Sequence, residues 1–114
     1  MPKKLLIGNV DSPIPFVAPE VTAPILECEN AAVKCNFLEP GQASPVHTHK
    51  FVDVMIISKG TGIATVDGEE RRVGPGDFIL NPAGTRHGIR NDGAERLTWI
   101  VVHAPISRLP KAAD

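Results

Sequence analysis

Three histidines and one aspartate carry the chemistry this sequence is equipped to do. His47 and His49 stand one residue apart, and Asp53 follows four residues later. Side chains two apart on an extended strand share a face, so two neutral imidazoles can meet one metal ion at roughly 2.1 Å each. An H-x-H pair alone says little. His87 changes that, because it lies far along the chain directly after the turn Pro82-Ala83-Gly84-Thr85-Arg86. Two histidines, a carboxylate and a distant third histidine form a ligand set for a mononuclear site that keeps positions open for water or substrate. Asp53 has two roles open to it. It can give the metal an oxygen, or it can hold a metal-bound water or an imidazole N–H from outside. Tyrosine is absent, which excludes a tyrosine acid.

Such a set needs several strands to bring it together. Short apolar runs punctuated by turn residues predict strands over residues 25–29, 32–38, 52–58, 62–66, 70–73, 77–80, 87–90 and 96–103. Asp67-Gly68 between two of these runs predicts a type I′ hairpin, whose turn residues need positive φ. No stretch has helical period, so the chain reads as all-β, a sandwich or barrel. At 114 residues it makes one domain and can bury roughly 65% of its extended-chain surface without disulfides. Residues 1–24 hold Pro2, Pro13, Pro15, Pro19 and Pro24. Proline removes a donor and clashes with a preceding helical turn, so this segment is expected to be an extended arm, able to add an edge strand. Residues 25–114 are expected to form the barrel.

The spacing of the four site residues resembles a known family. Gly41-(five residues)-His47-x-His49-(three)-Asp53-(six)-Gly60 resembles the first cupin motif, with aspartate where the family usually has glutamate. Gly76-(five)-Pro82-x-Gly84-(two)-His87-(three)-Asn91 resembles the second at every defined position. The resemblance implies an antiparallel double-stranded β-helix, the jelly-roll or cupin barrel. It implies that His47, His49, Asp53 and His87 converge on one divalent transition metal ion, be it Fe, Mn, Zn, Ni, Co or Cu. It further implies that Gly41, Gly60, Gly76 and Gly84 sit at bends where a Cβ would clash, and that Asn91 stabilises a turn. Aspartate is one methylene shorter than glutamate, about 1.5 Å less reach.

Around the metal, Cys35, Phe37, Met55, Ile57, Trp99 and Arg86 are candidate pocket residues, mostly apolar with one arginine at the mouth. His103, in phase with Trp99 and Val101, reads as a surface or satisfied histidine. Net charge is −1, with no basic stripe, which argues against nucleic acid and anionic membrane as partners. Cys28 and Cys35 lie seven apart, on opposite faces of an extended chain, and read as reduced thiols in a cytoplasmic protein. The apolar stretch near the start is too short for a signal-peptide core. The family resemblance implies a small-molecule ligand and a homodimer. Function then divides into two expectations. One is a metal-dependent enzyme on a small organic substrate, of dioxygenase, isomerase, decarboxylase or lyase type. The other is a non-catalytic ligand-binding or sensing module.

Overall fold

Val52-Asp53-Val54-Met55-Ile56-Ile57 alternates strictly between a covered and an outer face, with Asp53, Met55 and Ile57 buried. That period of two is the mark of a strand with one face on a core. In the computed structural model it is one of nine strands among the described residues, which are 9–11, 14–15, 26–27, 32–50 and 52–104. Cys28 and most of the proline-rich segment lie outside them.

The strands are β1 (Ile14–Pro15), β2 (Leu26–Glu27), β3 (Ala32–Leu38), β4 (Val52–Lys59), β5 (Gly62–Val66), β6 (Glu69–Val73), β7 (Phe78–Asn81), β8 (His87–Arg90) and β9 (Leu97–Ala104). One sheet runs β1-β3-β9-β4-β7, with β2 also on β3, and the other runs β6-β5-β8. All pairs are antiparallel except β1 on β3. The expected edge strand from the proline-rich segment is therefore present, as Ile14–Pro15 beside Asn36–Phe37. Leu38, Met55, Ile57, Ala64, Val73, Ile89, Leu97, Trp99 and Val101 fill the core between the sheets. No helix among the described residues is long and apolar enough to cross a membrane.

The turns obey their sequence signals. Asp67 (φ 48°) and Gly68 (φ 86°) both take the positive φ of the predicted hairpin turn. The glycine expectation needs correcting. A Cβ on Gly41, Gly76 or Gly84 would meet nothing within 4 Å, so these positions favour glycine through positive φ alone. Only Gly60 combines both constraints: its φ is +79°, and a Cβ would lie 2.3 Å from the Arg96 carbonyl oxygen. Asn91 behaves as expected. Its buried amide donates to Leu38 O at 2.9 Å and Glu95 O at 2.8 Å, and its oxygen accepts from Gly93 N at 2.9 Å.

Residues 41–47 form no regular strand, yet they run antiparallel beside β8. Isolated bridges pair Ala43 with Arg90 and His47 with His87, a step of four along one side against three along the other. The shift falls after Ser44, whose backbone N–H still donates to Ile89 O at 2.9 Å and whose hydroxyl accepts the Ile89 N–H at 3.0 Å. This one-residue shift sets which way His47 faces.

Candidate metal centre

Each histidine is fixed by the backbone around it. His47 and His87 exchange both of their backbone N–H···O bonds, each at 2.9 Å, so they stand directly opposite one another. The turn before His87 is tied down twice. Gly84 N donates to His49 O at 2.9 Å, and Asp67 takes the Arg86 N–H on its side chain at 2.8 Å while donating its own N–H to Arg86 O at 2.7 Å. Asp53 comes from the opposite sheet, on β4.

The side chains converge. His47 Nε2 and His49 Nε2 are 3.1 Å apart. Asp53 Oδ2 lies 3.6 Å from His49 Nε2 and 3.4 Å from His87 Nε2. Two donors each 2.1 Å from a metal stand about 3.0 Å apart at a right angle and about 3.4 Å apart at the tetrahedral angle. The observed separations fall around that range. The donors form two groups, His47–His49–His87 and His49–Asp53–His103, each with its donor atoms within 4.8 Å of one another and with His49 common to both.

The ring orientations suit a cation here. His47 Nδ1 contacts Pro45 O at 2.6 Å and His87 Nδ1 contacts Thr85 O at 3.2 Å. A carbonyl only accepts, so each Nδ1 carries a hydrogen and Nε2 is the nitrogen that each ring turns inward. His87 Nε2 is buried with no hydrogen-bond partner, and so is Asp53 Oδ1. An unsatisfied ring nitrogen 3.4 Å from a carboxylate oxygen is costly without something positive between them. A divalent metal ion fits these residues for that reason.

The titration behaviour agrees. Burial pushes the His49 pKa down to about 4, helped by the neighbouring His47 and opposed by Asp53. A neutral imidazole is the form a metal needs. Burial opposes ionisation of Asp53, but the imidazoles of His103 and His87 outweigh it and hold the carboxyl well below the usual carboxylate range. Burial raises the Cys35 thiol.

A cavity opens beside the donors, and Met55 and Trp99 line it. Four of the expected pocket residues do not. Asn36 pairs with Trp99 and Lys34 with Val101, so the cavity face of β3 carries Lys34 and Asn36. Cys35 and Phe37 point the other way, one residue out of phase. Cys35 is buried there, and Phe37 carries the Arg96 guanidinium 4.0 Å above its ring. Ile57 faces inward opposite Trp99 but is enclosed in the core. Arg86 is exposed and serves the site through its backbone.

Sequence reading leaves His103 outside the site. It is satisfied, as expected, but at the site: its Nε2 lies 3.3 Å from Asp53 Oδ2, and it lines the cavity. The signal was available in its phase, since Trp99, Val101 and His103 alternate on one face of β9.

A two-sheet antiparallel β-helix with a histidine-lined centre at one side defines a class, and comparison with known proteins places the chain in it. The cupin-domain family model matches residues 37–103, more than half of the chain, and the chain belongs to that family. A 66-residue stretch, 57% of the chain, is 41% identical to gentisate 1,2-dioxygenase from Ralstonia sp. The stretch spans only 19% of that relative's length. A solved protein from Thermus thermophilus is 36% identical with a TM-score of 0.68, covering 76% of this chain and 86% of that one. An uncharacterised conserved double-stranded β-helix protein from Klebsiella pneumoniae is 25% identical with a TM-score of 0.78, covering 90% and 91%.

Proposed function

We propose that this cupin is a metal-dependent enzyme acting on a small organic molecule, its metal held by His47, His49, His87 and Asp53. The observation that carries the reading is the buried, partnerless Nε2 of His87 beside the Asp53 carboxylate. A divalent ion bound there would supply Lewis acidity and, if it is iron, access to dioxygen chemistry. The chain's own residues do the rest. Pro45 and Thr85 carbonyls fix the tautomers of His47 and His87, so both rings present Nε2. Trp99, Met55 and Val101 give the cavity an apolar wall that limits water beside the donors. Lys34, Asn36 and Ser44 give the same cavity its polar contacts for orienting a bound molecule.

The likeness to gentisate 1,2-dioxygenase makes gentisate the first compound to try, with oxygen consumption as the readout after iron loading. Turnover of gentisate or of another small acid in a broad panel supports the reading. Tight binding with no turnover by any metal form supports the ligand-binding alternative instead.

Two further expectations belong to this reading. The chain is proposed to be a homodimer: Phe78 and Leu80 on β7 are 76% and 58% exposed, beside an exposed Ile56 on β4. Light scattering that shows a monomer at micromolar concentration removes that proposal. A cytoplasmic setting suits Cys35, a buried thiol with no disulfide.

A further inference from the structure

Aspartate is the short carboxylate at this ligand position, and the register shows what accompanies it. Two residues stand directly opposite Asp53 on the neighbouring strands, Asn81 on β7 and His103 on β9. The Asn81 amide is turned to the Met55 sulfur, to which its Nδ2 donates at 3.5 Å. His103 is turned to Asp53, with Nε2 at 3.3 Å from Oδ2. Both partners of that contact are well covered, at 14% and 6% side-chain exposure. An ionised carboxylate only accepts, so His103 makes this contact as an N–H donor. Oδ2 is also the oxygen that faces His49 and His87. The same oxygen thus faces His103 together with His49 and His87.

We propose that His103 is a positioning residue of the metal centre, which holds Asp53 Oδ2 toward the histidine triad and so makes an aspartate serviceable where reach is short. The inference rests on the metal reading above. The neighbouring strand supplies the constraint, because a side chain opposite Asp53 on a regular ladder can contact it without any loop rearrangement. His103 acts on the metal through Asp53, not as a ligand itself.

The test measures Co(II) and Cu(II) affinity of the full chain by competition with a chelator, together with the number of coordinated imidazoles by pulsed EPR of the Cu(II) form. His103→Phe keeps a flat ring on a strand and removes the donor. It is expected to bind metal about 10–100-fold more weakly, the usual effect of losing such a supporting partner. The imidazole count should stay that of wild type. His103→Gln keeps an N–H donor and should recover most of the affinity. In an Asp53→Ala background, His103→Phe should have no further effect on affinity. If His103→Phe does not fold, His103→Leu asks the same question. Wild-type affinity in the donor-free variant overturns the proposal, as does an undiminished effect in the Asp53→Ala background. An imidazole count that drops by one also overturns it, since His103 would then be a ligand. A wild-type chain that takes up neither metal overturns the metal reading itself, an outcome distinct from all of these.

Discussion

The two sides of the proposed metal centre are built by different means. His47, His49 and the turn leading to His87 lie on irregular chain, where each ring is fixed locally. Carbonyls two residues away hold Nδ1 of His47 and His87, a one-residue bulge turns His47, and Asp67 clamps the turn. Asp53 and His103 lie on a regular ladder and are fixed by each other. The irregular side can change its residues with little effect on the core, because His47 and His49 are half-buried and outside the strands. The ladder side shares its strands with Met55, Ile57, Trp99 and Val101, so changes there reach the core. Function and stability are therefore separable on one side and joined on the other.

The largest expected effect separates them most sharply. Replacing His47 and His49 together by alanine should take metal content from about one ion per chain to none, with the unfolding midpoint of the metal-free protein little changed. Elemental analysis and denaturant melts of the same samples check both halves. Full metal retention would remove these residues from the site.

On the ladder side, Trp99→Ala should cost about 3–5 kcal/mol of stability, because the indole is 2% exposed and its removal leaves a void. Urea unfolding measures it. A loss under about 1 kcal/mol would mean that the two sides are not mechanically different.

Acidity offers a subtler comparison. His49 is held neutral in the folded protein down to about pH 4, while its ordinary value is 6.5. Between those values the unfolded chain binds a proton that the folded one refuses, so unfolding is favoured as pH falls. Stability of the metal-free protein should be fully present above about pH 6.5 and decline toward pH 4. Asp53, held low, contributes stability that is present above its ordinary 3.8 and is lost only in stronger acid. His49→Asn should flatten the slope between pH 6.5 and 4 and leave the acid limb in place. An unchanged slope would assign it to other groups.

The smallest effect is expected at Arg86. Its side chain is exposed and its backbone makes the contacts, so Arg86→Ala should change neither metal content nor melting temperature measurably.

The irregular side was the more legible in sequence, which is the reverse of what regularity suggests. Motif spacing picked out His47, His49 and His87 because the glycines and the proline that shape their turns are themselves signals, and Asp67-Gly68 announced its turn in the same way. On the ladder the periodicity located every long strand to within a residue or so, but it did not say which parity of β3 faced inward. Val33 to Leu38 includes apolar side chains at both parities, and the pairing with β9 settled the choice for Lys34 and Asn36. Cys35 and Phe37 were misplaced for that reason. His103 shares a face with Trp99, but its partner, Asp53, lies fifty residues away and only register brings them together.

One ion is proposed to sit among His47, His49, His87 and Asp53. Anomalous scattering from a crystal of metal-loaded protein tests it most directly. A single strong peak is expected about 2.0–2.2 Å from Nε2 of each of the three histidines and from an Asp53 oxygen, with His103 beyond bonding distance. A peak bonded to His103 in place of Asp53, or no peak among the three histidines in protein that carries metal, would contradict it.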